Sequence, residues 1–400
     1  MTRQPYLSAR LQGFGTTVFA QMSALAEQTK AINLGQGFPD IDGPEEVARV
    51  AANAVLSGPN QYPPVQGDPA LRQAVAEHQQ RFWGQTVDPD SEVLVTAGAT
   101  EAITAALLAL CEPGDEVVAF DPTYDSYAAA TAMAGARLRT VVLRPPPAQA
   151  RTATTAPFSF DPDELRRAFS ARTRMFLLNT PHNPTGKVFT RDELAFIAEL
   201  CIEHDIIAIT DEVYEHLAFA RQHHQLAAQD GMRDRTLTVS SGGKTFSFTG
   251  WKVGWITGPS ALVGAVRTAK QFLTFVNAAP LQPAIAAGLR LGPDYFTGFT
   301  STLEAKRDRL VGWLTQAGFA VYVPEGTYFV IVDITPVGGT DSVDFCLALP
   351  ERCGVVAVPA SVFYQDPRDG QHLIRFCFAK QDAVLDEAGQ RLVDGFGPPS

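Results

Sequence analysis

The chain has 400 residues, 46% of them apolar, enough to bury a large core in two or three domains or lobes. Charged residues make up only 19% and the formal net charge is −11, which argues against a nucleic-acid footprint and against an anionic membrane as partner. The five cysteines (Cys111, Cys201, Cys346, Cys353 and Cys377) are odd in number, widely spaced and without a CxxC pair, so reduced, core-packed thiols are expected rather than a disulfide framework or a zinc site. No run of eighteen apolar residues occurs and the N-terminus lacks a continuous apolar stretch of signal-peptide type, which predicts a soluble, untargeted, cytoplasmic protein.

Residues 1–44 read as an N-terminal arm, with a short amphipathic helix over Phe19 to Ala26 and a glycine- and proline-rich loop from Leu34 to Asp40. Helical spacing runs from Glu45 to Leu56, where Gly58-Pro59 ends it, and resumes from Pro69 to Trp83; Tyr62-Pro63-Pro64 between them cannot lie inside a helix. From Glu92 short apolar runs alternate with helices. Strands are expected at Val93 to Thr96, Val117 to Phe120, Leu138 to Leu143, Arg174 to Asn179 and Ile206 to Thr210, with helices at Thr100 to Cys111, after Asp121-Pro122 through Ala134, from Asp161-Pro162, and from a Thr190/Glu193 capping box to His204. Residues 144–157 are low in complexity and read as an exposed loop. Such alternation predicts an α/β fold with a mainly parallel sheet covered by helices on both faces. Beyond about residue 285 the pattern shifts to a long helix (Tyr295 to Ala317) and β runs at Ala320 to Val323, Tyr328 to Ile334, Val355 to Val358 and His372 to Phe378. The expected division is therefore residues 1–44 as arm and small-domain segment, 45–285 as a large domain and 286–400 as a small domain.

Ligands of parallel sheets sit beyond the carboxyl ends of the strands. The residues there are Gly98-Ala99-Thr100, Asp121 to Tyr124, Pro181 to Asn183, Asp211 to Tyr214 and Ser240 to Lys244. Lys244 stands out, because it follows two glycines and precedes Phe246, Phe248 and Trp251. Partial burial lowers an amine's pKa and makes it a nucleophile able to form a Schiff base. A phosphate-binding P-loop is ruled out, since Thr238 holds the position of its first glycine, and Gly186-Lys187 fails in the same way at Thr180. Gly35 and Gly37 do not complete a dinucleotide fingerprint, because Asp40 stands where the third glycine belongs.

Four segments, in this order and spacing, carry a resemblance: Asn60-Gln61-Tyr62, Pro181 to Gly186, Asp211-Glu212-Val213-Tyr214, and the stretch from Gly242 to Trp255. Over nearly its full length the chain resembles the class I/II pyridoxal-phosphate (PLP) aminotransferases of fold type I. It is closest in pattern to the branch holding kynurenine and glutamine transaminases, methionine aminotransferases and N-succinyldiaminopimelate aminotransferases. The resemblance implies pyridoxal 5′-phosphate as cofactor and reversible ping-pong transfer of an amino group from an L-amino acid to a 2-oxo acid. By the same resemblance Lys244 matches the lysine of the internal aldimine, Asp211 the partner of the pyridine nitrogen, and Tyr214 with Asn183 the pair on the ring 3′-oxygen. Ala99, Thr100, Ser241 and Lys252 match the phosphate site and Tyr124 the stacking aromatic. Tyr62 matches a tyrosine that reaches the neighbouring subunit of a homodimer. Arg375 matches the clamp on the substrate α-carboxylate, with Gly37 beside it; a guanidinium fork suits that task.

No further arginine is assignable to a distal carboxylate, which argues against a strictly dicarboxylic substrate. Aromatic, sulfur-containing and N-acylated amino acids stay open, and the walls expected to choose among them are residues 14–19, Tyr62, Tyr124 and the loop at Ala278-Ala279. The alternatives are a C–S β-lyase on the same fold and a non-enzymatic regulator, the latter disfavoured because the match begins within the first residues of the chain.

Overall fold

A computed structural model describes residues 5–397 except 16, 59, 147–157 and 220, so most of the expected loop at 144–157 lies outside the described residues. The strands are β1 (Ile32–Asn33), β2 (Val93–Thr96), β3 (Glu116–Asp121), β4 (Arg137–Val142), β5 (Thr173–Asn179), β6 (Ile207–Asp211) and β7 (Thr236–Ser241), then β8 (Gly254–Thr257), β9 (Ala320–Tyr322), β10 (Phe329–Asp333), β11 (Val355–Val356), β12 (Val358–Pro359) and β13 (Leu373–Cys377). Seven of them form one sheet in the order β2-β8-β7-β6-β5-β3-β4. Its centre is parallel, and the residues of β2, β3, β7 and β8 are buried throughout, as strands covered on both faces must be.

The exception is β8, antiparallel to both β2 and β7. The motif residues after β7 are spent on two short helical turns, Gly242–Thr245 and Thr249–Trp251, instead of a full crossover helix, so the chain doubles back. Gly254 lets it do so closely: a Cβ there would lie 2.8 Å from the carbonyl carbon of Gly98. Gly98 itself, at φ +77°, turns β2 into the buried helix Gly98–Leu110.

A second sheet, β12-β13-β10-β9, is antiparallel and carries Arg375 on β13 opposite Ile331 and Val358. The run Val355 to Val358, expected as one strand, splits at Ala357: β11 pairs in parallel with β1 of the N-terminal segment while β12 joins β13. That split ties the loop after β1 to the small sheet. Helices at Ser260–Lys270, Gln282–Leu289, Ser342–Cys353 and Asp382–Phe396 have no counterpart among the expected elements. The Thr190/Glu193 capping box forms as expected, both reciprocal bonds being present, and contributes on the order of 1 kcal/mol. Among the described residues no helix is long and apolar enough to cross a membrane.

Candidate active site

Register brings the strand ends together. Asn179 at the end of β5 pairs with Asp211 at the end of β6, and Ser241 at the end of β7 pairs with Gly254 of β8. They open on a cavity of about 310 Å³ whose lining includes Gly37, Ala99, Thr100, Tyr124, Asn183, Asp211, Tyr214, Ser241, Lys244, Lys252 and Arg375. Of the residues matched to cofactor or substrate roles Tyr62 lies elsewhere, 80% exposed with its ring edge-on to that of Phe275 at 5.4 Å; of the expected specificity walls Phe19 and Tyr124 line the cavity, whereas Phe14, Ala278 and Ala279 do not.

Lys244 is held in the helical turn that follows Ser241, and the two preceding glycines are packed tightly. A Cβ on Gly242 would meet Ile285 at 2.7 Å, and one on Gly243 would meet Thr249 at 3.1 Å. The amine lies 5.8 Å from the ring centroid of Tyr214 and 5.7 Å from that of Tyr328. Burial lowers its pKa to about 8 against the upward pull of Asp211, so about a tenth of the amine is unprotonated at pH 7, far more than for a solvated lysine. Burial raises the carboxyl of Asp211, and two hydrogen bonds oppose the rise: the Tyr127 hydroxyl donates to Oδ2 at 2.6 Å and the Val213 N–H to Oδ1 at 3.4 Å. Asn179 donates to the Asp211 carbonyl at 2.8 Å and accepts the Asn183 N–H at 2.7 Å, fixing two neighbouring strand ends at once.

At one end of the cavity the first turn of the helix Gly98–Leu110 faces Ser241 and Lys252. Free N–H groups and the helix dipole favour an anion there. A Cβ on Gly98 would stand 3.2 Å from the Lys252 amine, so the missing side chain leaves that cation its place. Lys252 sits in the left-handed region at φ 53°, at a cost of about 1–2 kcal/mol, and its carbonyl accepts from Asn277 at 3.3 Å.

At the other end Arg375 is buried, at 1% exposure. It donates to Asn183 Oδ1 at 3.0 Å and to the Gly35 carbonyl at 3.1 Å, and its guanidinium lies 3.9 Å from the Phe329 ring centroid. Its Nε has no partner, and no carboxylate pairs with it among the described residues. Burial lowers its pKa to about 10, which still leaves it charged at neutral pH. A buried, unpaired cation is costly unless an anion arrives. The cavity is lined by three cations, Lys244, Lys252 and Arg375, against the single carboxylate of Asp211, a balance suited to a ligand set carrying both a phosphate and a carboxylate.

Three residues of the site have no counterpart in the sequence reading. Tyr127 lies one helical turn after Tyr124, a spacing that was available as a signal. Tyr328 donates to the Gly37 carbonyl at 2.7 Å, and Lys380 donates to the Phe38 carbonyl at 3.0 Å with its amine 4.9 Å from the Phe38 ring centroid. Together with Arg375 they hold the loop from Gly35 to Phe38 across the cavity.

A buried sheet-end lysine and aspartate, an anion cradle and a clamp for a second anion, on this sheet order, define a fold type I transferase. The profile of the aminotransferase class I and II family matches residues 29–392. The chain is 50% identical over 394 residues to a probable N-succinyldiaminopimelate aminotransferase of Mycobacterium tuberculosis, covering 96% of this chain and 97% of that one. The solved structure of N-succinyldiaminopimelate aminotransferase from that organism aligns with a TM-score of 0.93, over 96% of this chain and 99% of that chain. Identity to the methionine aminotransferase of Escherichia coli is 43% over 394 residues, covering 98% and 99%, and to kynurenine–oxoglutarate transaminase 1 of Homo sapiens 38% over 408 residues, covering 96% of each. The chain belongs to the class I and II aminotransferases and is an aminotransferase; a lyase is not favoured by these relatives.

Proposed function

We propose that the cavity holds pyridoxal 5′-phosphate and transfers the amino group of an L-amino acid with an uncharged side chain to a 2-oxo acid. The observation that carries this reading is a sheet-end lysine in one cavity with a buried aspartate and a buried arginine that no carboxylate pairs among the described residues. The residues fit the group: the space left by Gly98 beside Lys252 takes a phosphate, and the orphaned Nε of Arg375 marks a place for a carboxylate. When bound, PLP supplies an aldehyde and a pyridine ring that accepts the electron pair released at the substrate α-carbon.

The chain's own groups do the rest. Ala99, Thr100, Ser241 and Lys252 would bind the phosphate, and Tyr124 would cover one ring face. Asp211 would keep the ring nitrogen protonated, and the Tyr127 hydroxyl, by donating to it, favours its charged form against burial. Tyr214 and Asn183 would donate to the ring 3′-oxygen. Lys244 would serve as the base for the proton on the substrate α-carbon. Arg375 orients the substrate through its carboxylate, with Gly37 alongside, so specificity falls to what meets the side chain. Phe19, Phe38 and Phe329 line the cavity there and Arg375 is its one arginine, which favours an apolar or sulfur-containing donor over a dicarboxylic one. The relative named for methionine supports such a donor, whereas N-succinyldiaminopimelate, in the name of another, carries further carboxylates and would need a cation beyond Arg375 at the side-chain end.

The remaining parts of the proposal are a cytoplasmic homodimer, in which exposed Tyr62 reaches the neighbouring cavity, and division into segments 1–44, 45–285 and 286–400. The test is a panel of amino donors and 2-oxo acids read by conversion to the pyridoxamine form. Borohydride treatment of the yellow protein should fix the pyridoxyl group on Lys244, and Lys244→Ala should lower turnover by at least ~10³-fold. A colourless protein indifferent to PLP, or ammonia release without any acceptor, would end the reading.

A further inference from the structure

A second polar cluster adjoins the cavity without lining it. His78 ends the helix Pro69–His78, and Glu215 and His216 follow Tyr214. One ligand atom from each of His78, Glu215 and His216 lies within 4.8 Å of the others. His78 and Glu215 are almost wholly buried, at 1% and 2% exposure, while His216 is part-buried. The two imidazoles face each other through Nε2 at 2.7 Å, inside a wall made by Phe82 and Phe296, whose ring centroids lie 4.7 and 4.5 Å from that of His216.

Three observations make this cluster poorly explained as packing. First, Glu215 is a buried carboxylate held only by neutral donors, Ser240 Oγ at 2.5 Å and Trp83 Nε1 at 2.6 Å, with no lysine or arginine pairing it among the described residues. Second, the two imidazoles are bonded to each other through Nε2, so the carboxyl group of Glu215 has Ser240 and Trp83 as its side-chain donors and neither ring. Third, both rings turn their Nε2 edge into the same few ångströms as the carboxyl group, the convergence of donors that a metal site needs.

We propose that His78, His216 and Glu215 bind a divalent transition-metal ion of the zinc or cobalt type. Two neutral imidazoles and one carboxylate are the donor set such ions take, with water completing the shell through the part-exposed side of His216; imidazole disfavours calcium and magnesium. Binding replaces the shared hydrogen bond: the ring that carries its proton on Nε2 carries it on Nδ1 instead, and both Nε2 lone pairs go to the metal. With metal–nitrogen bonds of about 2.0–2.1 Å the two nitrogens stand about 3.3 Å apart, so one ring moves by roughly half an ångström, and His216 is the less enclosed of the two. The Trp83 and Ser240 donors already orient the carboxylate, as partners of a metal-bound carboxylate do. The ion would fasten the helix ending at His78 to the segment behind Tyr214, and through Ser240 to the strand end at Ser241. Its role is structural and separate from amino transfer.

The test uses tag-free, PLP-loaded enzyme stripped with a chelator and titrated with Zn²⁺ or Co²⁺ alone. The expected result is one ion per chain, visible cobalt absorption beyond the cofactor band and a raised thermal midpoint. His216→Asn and Glu215→Gln should each weaken binding at least ~10-fold while cofactor absorption is retained, and His224→Gln, outside the cluster, should leave it unchanged. Substoichiometric binding, or equal affinity in wild type and His216→Asn, overturns the proposal. His78→Gln repeats the test from the buried side, and if that variant fails to fold the other two still decide.

Discussion

The two ends of the cavity are built in different ways. The end proposed for the cofactor rests on neighbouring strands of one sheet, where hydrogen-bonded register fixes Asn179 against Asp211 and Ser241 against Gly254. The end proposed for the substrate is assembled from pieces far apart in sequence: Arg375 on the small sheet reaches the carbonyl of Gly35, 340 residues earlier. The first kind of construction gives a rigid seat and the second a joint between parts, so damage at the two ends should appear in different kinetic constants.

Arg375→Ala tests that contrast hardest. The catalytic efficiency toward an amino donor should fall on the order of 10²-fold or more, mainly through KM, with the cofactor spectrum intact. A loss carried by kcat alone would break the division. Tyr127→Phe strikes the other end and should lower kcat about 10-fold at little cost in KM, because a hydrogen bond to a charged group is removed. That bond lowers the Asp211 pKa, so without it the carboxyl stays protonated to higher pH and the acid limb of the kcat profile should move upward; an unmoved limb would make Tyr127 mere packing. Lys380→Met frees the Phe38 carbonyl and should raise KM for amino donors a few-fold, about what one hydrogen bond contributes, leaving kcat near wild type.

A last effect concerns stability in cofactor-free protein. Burial favours the neutral Lys244 amine, with a pKa of about 8 against 10.5 when unperturbed. Between those values the unfolded chain binds more protons than the folded one, so stability rises with pH across that window. Thermal midpoints of wild type and Lys244→Met should therefore converge from pH 8 to 10.5; parallel curves would mean the amine is better solvated than its surroundings imply.

Much of the first end was legible in the sequence and less of the second. Lys244, Asp211 and Ser241 follow apolar strand runs, and local spacing places them at one sheet edge. Tyr127 was not legible, because its role depends on a carboxylate 84 residues away, even though its place one turn after Tyr124 is written locally. Lys380 was less so, its partner carbonyl being 342 residues distant. Strand β8 was hidden because its residues belong to the lysine motif and its four-residue length gives no period to read. Arg375 alternates with apolar residues as a surface arginine would, and it is buried by segments remote in sequence, the loop from Gly35 to Phe38 and the rings of Phe19, Phe329 and Phe363.

That loop is gripped by its main chain: Gly35, Gly37 and Phe38 offer carbonyls to Arg375, Tyr328 and Lys380. Side chains at positions 36 and 38 face the cavity and add only secondary ties, Gln36 to the Ser23 hydroxyl and the Phe38 ring to the Lys380 amine, whereas a Cβ at Gly37 would strike Phe329 at 2.6 Å. New preferences for amino acids can thus be tried at 36 and 38 by natural drift or by design with the fastening left whole, while 37 must stay bare.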